Sequence, residues 1–270
     1  MIPSAEAPHW NTIRERLKAN EIVIGMTVTT SNVETAAHAA TLGFHFLWAE
    51  MEHSPLSLEA LRMMVLATRG LPTPVFARVP WVELWMAKRV LDQGVRGVIF
   101  PFTSTAARAR TAADACRYPP VGLRGSGAGL AVATWPEPGS YYDSADENVI
   151  VVCVIEEASA LDEIDEIAAR PGVDVIFIGT SDLSFSLGMR GRQDEPIVQA
   201  AIQKIVDAAR RHGKYLGRPA GTAEDVVRFR QQGFQFFQSV TELGLMSLGA
   251  QQLLEPLQIH ARPREQSTFY

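Results

Sequence analysis

The stretch Phe46-Leu47-Trp48-Ala49-Glu50-Met51-Glu52-His53-Ser54-Pro55 decides how the chain is read. An apolar run ends in two acids and a histidine, and a proline then breaks it. A buried strand that carries ionisable groups at its last residues delivers them where the chain leaves the core and meets solvent. Three other apolar runs end in the same manner: at Arg78, at Glu156-Glu157, and just before Ser181-Asp182.

Outward from this stretch the pattern recurs. Residues 21–28 (EIVIGMTV), 44–49, 73–79 (TPVFARV), 96–102 (RGVIFPF), 149–155 (VIVVCVI), 173–178 (VDVIFI), 214–217 and 234–240 read as strands. They are continuous apolar runs, as expected where both faces of a sheet are covered. Helical spacing fills the gaps. Thr30 and Ser31 can cap a helix carrying Val33, Ala36, Ala37 and Ala40, and Ser57 starts the next. Further helices are predicted over 81–91, 103–117, 161–168, 195–212, 223–232 and 243–257, with a short charged one over 11–20. Eight strand–helix units predict a (β/α)8 TIM barrel. It is expected as one domain over 1–270, with its core at 21–258 and a polar tail at 262–270. An open doubly wound sheet would need G-x-G-x-x-G after an early strand, and Thr29-Thr30-Ser31-Asn32 stands there instead.

Between Tyr118 and Asn148 the rhythm breaks. This segment is too long for an ordinary strand-to-helix connection and carries Pro119, Pro120, Gly122, Gly125, Gly127, Gly129, Pro136, Pro138 and Gly139. It is expected to be an inserted active-site or interface loop. Its Gly122-to-Gly129 run lacks the Lys-Ser/Thr of a phosphate loop. The expectation is a flexible loop over the site, with Arg124 available to an anion.

Composition narrows the function classes. A net charge of -5, with 47% apolar and 20% charged residues, argues against a nucleic-acid partner. No apolar run approaches the roughly 20 residues of a membrane span, and Met1 to Glu6 shows no signal-peptide pattern. Cys116 and Cys153 read as two buried thiols in a reducing, cytoplasmic compartment.

The strand exits carry the chemistry. Glu156 and Asp182 follow consecutive strands, so a barrel places them at one rim. Two neighbouring carboxylates repel unless a cation or proton lies between them, and a hard dication with oxygen ligands suits the pair. The plainer reading makes them helix-cap and turn acids. His53 lies past its strand end and can exchange protons near neutral pH, with Glu50 to orient it. His45, inside its run, is assigned to packing. Arg78 on a buried strand needs an anion: a substrate oxygen, or an internal bridge to Glu50 or Glu52. Gly179-Thr180-Ser181-Asp182 reads as a tight turn whose N–H groups can cradle a carboxylate. There is no zinc pattern and no G-x-S-x-G elbow.

Several ordered motifs resemble one family. Glu52-His53-Ser54-Pro55, Arg78-Val79-Pro80, Arg117-Tyr118-Pro119-Pro120-Val121-Gly122-Leu123-Arg124-Gly125, Ile155-Glu156 and Phe177-Ile178-Gly179-Thr180-Ser181-Asp182-Leu183-Ser184 are similar to the HpcH/HpaI-type metal-dependent (class II) pyruvate aldolases, within the pyruvate/phosphoenolpyruvate barrel superfamily. The resemblance implies that Glu156 and Asp182 hold Mg2+, Mn2+ or Co2+, to which pyruvate binds through a carboxylate and its keto oxygen. The N–H groups of Ser181 and Asp182, beside Gly179, would take the rest of that carboxylate. Arg78 would stabilise the enolate oxygen, and His53, aided by Glu50 and a water, would move protons. The implied activity is that of a carbon–carbon lyase cleaving 4-hydroxy-2-oxo acids to pyruvate and an aldehyde. The resemblance also implies a homo-oligomer, a hexamer of dimers, with the last helix exchanged between partners. Two positions depart from the family's pattern: Glu50 where aspartate is usual, and Val154 where glutamine is frequent. They leave open two alternatives. One is oxaloacetate decarboxylation or other carbon–carbon bond formation from the same enolate, as in macrophomate synthase. The other is a weakened keto-acid-binding protein.

Overall fold

Eight parallel strands close on themselves in chain order: β1 (Val23–Val28), β2 (Phe46–Glu50), β3 (Val75–Arg78), β4 (Gly97–Phe100), β5 (Ile150–Ile155), β6 (Val175–Ile178), β7 (Tyr215–Pro219) and β8 (Phe236–Thr241). β8 pairs back onto β1 with a register shift between Gly25 and Thr27. The structure is a computed structural model that describes residues 12–135 and 140–259. The predicted barrel is therefore present, with strand ends shifted by a few residues, as is usual where ladders fray. Residue 11, Pro136, Pro138 and Gly139, and the tail from Arg262 lie outside the described residues.

Side chains alternate between two cores. Those facing the helices, such as Leu47, Ala49, Ala77, Val98, Ile176 and Phe237, join a layer between barrel and helices. Those facing the axis form a second cluster that includes Phe46, Trp48, Phe76, Phe177 and Phe236. Phe46 lies 4.7 Å from Phe236 and 4.8 Å from Phe76 between ring centroids, and Trp48 lies 5.2 Å from Phe177. Each such ring is worth about 1.5–3 kcal/mol when fully buried. Room for them comes from glycine. Gly25 is the register partner of Phe46, and Gly97 of Phe76. A Cβ at either would come within 2.3 Å of the neighbouring ring. The Thr12–Lys18 helix joins this inner cluster through Ile13 and Leu17, at the strand N-termini.

Three expectations are adjusted. The 118–148 excursion, expected as an inserted loop, carries helices of its own at Gly129–Thr134 and Tyr141–Asn148. Arg124 is not offered to an anion at the site. Its side chain is fully buried, 4.6 Å over the Tyr118 ring, and donates to Asp92 at 3.2 Å and to the Tyr141 hydroxyl at 3.4 Å. A guanidinium between tyrosine faces and an aspartate is an anchor. Gly179-Thr180-Ser181-Asp182 is not an isolated turn: it opens a helix, Thr180–Ser186. Cys116 and Cys153 are free and buried, as expected. His45 has a structural place, its Nδ1 accepting the Ile24 N–H at 3.0 Å.

The ring-over-glycine packing predicts that Gly97→Val will destabilise the protein by about 2–3 kcal/mol in urea melts, because the interior cannot absorb the added volume. Gly129→Ala, whose added Cβ meets nothing within 4 Å, should shift stability by less than about 0.5 kcal/mol. Equal effects of the two changes would contradict this account of the interior.

Candidate active site

The β2–β3 register sets Glu50 directly beside Arg78. Both are buried, at 2% and 6% exposure. Arg78 Nε donates to Glu50 Oε2 at 2.6 Å, and the Trp48 indole donates to the same oxygen at 3.1 Å. Glu50 Oε1 accepts the backbone N–H groups of Glu52 and His53 at 2.9 and 3.0 Å. Ser54 Oγ donates to the Glu50 carbonyl and bends the chain at the strand exit. One carboxylate thus fixes strand, turn and guanidinium together. Such a pair tolerates burial because each charge is neutralised and hydrogen-bonded.

Glu50 touches His53 through its backbone and raises the basicity of its imidazole, but the acid that meets the ring is Glu52. Glu50 takes the His53 backbone N–H, while the imidazole Nε2 lies 3.5 Å from Glu52 Oε1. Glu52 Oε2 is 3.1 Å from Arg78 Nη1. Glu52 therefore sits between the guanidinium and the half-exposed imidazole. Burial pushes its carboxyl up to about 7, against the opposing pull of Arg78 and helped by the charges of Glu156, Glu50 and Asp182. His53 is shifted down, first by burial and then by Arg78.

Glu156 leaves β5 with 2% exposure. Its Oε1 accepts the Phe102 N–H at 2.6 Å. Its Oε2 occupies space that only a glycine at 179 leaves open, since a Cβ there would lie 2.6 Å away. Burial raises this carboxyl to about 7 despite the Phe102 N–H and Arg78. Asp182 is partly exposed in the first turn of the Thr180–Ser186 helix, and its charge is felt by Glu52, His53 and Glu156 alike. The N–H groups of Thr180, Ser181 and Asp182 belong to that first turn, where a helix has no internal acceptors for them.

Glu50, His53, Arg78, Glu156, Gly179, Ser181 and Asp182 are thus gathered at the C-terminal rim, with no member sent elsewhere. Glu52 joins them beside the imidazole, and its place one residue before His53 at a strand exit is the sequence signal for it. Phe102 and the spatial need for Gly179 were missed, and nothing local in the sequence announces either. The described residues contain no ready-formed cluster of three or more metal-binding side chains. The oxygen set is nevertheless suited to a hard dication. Glu156 is buried with one oxygen spent on a peptide, and Arg78, whose charge it feels, is already engaged by Glu50 and Glu52.

Known proteins share this arrangement of chain. The profile of the HpcH/HpaI aldolase/citrate lyase family matches residues 24–247. A 5-keto-4-deoxy-D-glucarate aldolase of Klebsiella pneumoniae subsp. pneumoniae is 33% identical over 248 residues, covering 91% of this chain and 96% of that one. The enzyme of the same name in Escherichia coli is 32% identical over 245 residues, with 91% and 96% covered. An HpcH/HpaI aldolase/citrate lyase family protein of Burkholderia cenocepacia J2315 superposes with a TM-score of 0.84 at 29% identity, covering 92% of this chain and all of that one. Macrophomate synthase, at 21% identity and a TM-score of 0.81 over 91% of this chain and 89% of its own, shares the fold. With aldolases matched over nearly its whole length and four strand exits meeting at one rim, this chain is a carbon–carbon lyase belonging to the HpcH/HpaI aldolase/citrate lyase family.

Proposed function

We propose that the protein cleaves 4-hydroxy-2-oxo acids reversibly to pyruvate and an aldehyde, with Glu156 and Asp182 holding one Mg2+, Mn2+ or Co2+. The observation that carries this reading is a buried Glu156 that feels the charge of Arg78, a guanidinium committed to two other acids. When bound, the cation would draw electrons from the keto oxygen and so ease formation of the enolate. The first-turn N–H groups at Ser181 and Asp182, beside Gly179, receive the substrate carboxylate. Arg78, fixed in place by Glu50 and Glu52, offers its remaining N–H groups to the enolate oxygen. His53 takes the C4 hydroxyl proton, directly or through a water, as the C3–C4 bond breaks and its electrons pass into the enolate. It then returns a proton to the enolate carbon, giving pyruvate. Glu52 beside the imidazole holds it in place, and Glu50 acts through the backbone and Arg78.

The glucarate-derived substrate in the relatives' name gives the class to test first, hydroxylated sugar-acid derivatives. Among the described residues no helix is long and apolar enough to cross a membrane. The buried free thiols support a reducing, cytoplasmic setting. The Glu242–Leu254 helix has no buried residue; Met246, Leu248 and Leu253 are 65%, 55% and 70% exposed. That apolar surface supports a homo-oligomer in which a second subunit covers or exchanges this helix. Sedimentation analysis should find an oligomer, and Leu248→Glu with Leu253→Glu should shift it toward smaller species. A monomer in both cases would exclude the assembly.

Exchange of the pyruvate methyl protons for deuterium tests the chemistry. Exchange should stop on chelation and return with Mn2+, Mg2+ or Co2+. Asp182→Ala and His53→Ala should each slow it by about 10²–10⁴-fold. Full exchange in a thoroughly chelated sample would reject the metal-dependent reading.

Stability should also depend on pH in a defined direction. Glu52 and Glu156 sit near 7 in the fold against 4.5 for the free side chain. They hold protons more tightly when folded, so their stabilising contribution is complete below about 4.5 and is lost as pH rises through about 7. The Tm of chelated protein should fall between about pH 5 and about pH 8, and excess Mg2+ should flatten that fall. A chelated Tm that climbs across this window would contradict the assignment.

A further inference from the structure

On the reading of Glu156 as a cation ligand, we infer that Phe102 is a positioning residue: the stack of Trp81, Phe102 and Arg108 holds the peptide that fixes the Glu156 carboxylate. Phe102 has φ 47, in the left-handed region that a bulky L side chain rarely adopts. That twist aims its N–H at Glu156 Oε1, 2.6 Å away. A strained peptide persists only where its surroundings over-determine it. Here they do. The Phe102 ring packs on Trp81 at 5.6 Å, and the Arg108 guanidinium lies 4.7 Å over the same indole. Arg108 Nη1 also donates to the Phe102 carbonyl at 2.8 Å and lies 3.5 Å from Glu157 Oε2. Ser104 Oγ bonds to that same Glu157 oxygen, and Thr103 N–H donates to the Val154 carbonyl at 3.0 Å.

The exits of β3, β4 and β5 are therefore tied together around one peptide N–H. With Oε1 held by that N–H and Oε2 fitted against Gly179, Glu156 has little freedom to rotate. A carboxylate held in this way presents one oxygen to a cation. That suits small octahedral ions and disfavours Ca2+, which readily takes both oxygens in a flexible site. The clamp thus sets cation affinity and the choice between cations without touching the cation.

The test is Mn2+ binding by electron paramagnetic resonance, with Ca2+ as competitor and no substrate present. Trp81→Leu and Phe102→Leu should each weaken Mn2+ binding by about tenfold or more, as is typical when a ligand loses its outer support. Both should also narrow the preference for Mn2+ over Ca2+. Trp81→Phe, which keeps an aromatic face, should stay within about threefold of wild type. Arg108→Met, at a half-exposed site, supplies the same comparison if the leucine variants fail to fold, with an expected loss of at least about fivefold. Unchanged Mn2+ affinity and unchanged cation preference in the folded variants would overturn the inference while leaving the aldolase reading intact. Wild-type protein that binds no Mn2+ at all would overturn both.

Discussion

A guanidinium shared by the buried Glu50 and the partly buried Glu52 is the constraint on which the catalytic rim depends. Arg78 meets Glu50 because the β2–β3 register makes them neighbours, and it meets Glu52 because Glu50 folds the strand exit back by two backbone hydrogen bonds. Removing one member of such a buried set costs about 3–5 kcal/mol, since a charge is then stranded. The arrangement also spends the positive charge of Arg78. Glu156 is left buried with the Phe102 N–H as its hydrogen-bond donor, and burial raises its carboxyl against the pull of that N–H and of Arg78. An added positive charge at this rim answers a deficit that the ion pairs themselves create.

The two departures from the family pattern now have surroundings. The longer side chain of Glu50 reaches the Trp48 indole, the Arg78 Nε and two backbone N–H groups at once. Glutamate there is fully used as a brace, and the acid facing the imidazole is Glu52 instead. Val154 points into the barrel among Trp48 and Phe177, and its Cγ1 would lie 3.2 Å from a Cβ at Gly179. It completes an apolar floor beneath the acids.

Much of this was legible in the sequence because both signals are local. Apolar runs such as 149–155 mark strands buried on both faces, and the charged residues that end them mark the rim. The positions of Glu50, His53, Arg78, Glu156 and Asp182 followed from that alone. What escaped depends on contacts between distant segments. The imidazole's neighbour is settled by a turn geometry that two hydrogen bonds to Glu50 impose. The Phe102 N–H matters only because β4 and β5 are adjacent. Arg124 looks like a loop cation until Tyr118, Tyr141 and Asp92 close around it. The Thr180–Ser186 helix reads as a turn because Thr, Ser and Asp favour both turns and helix starts.

The aromatic filling of the barrel axis has one more consequence. Phe46, Phe76 and Phe236, backed by Ile13 and Leu17, fill the axis toward the strand N-termini, so among the described residues the barrel offers no passage there and its acids are approached from the C-terminal face.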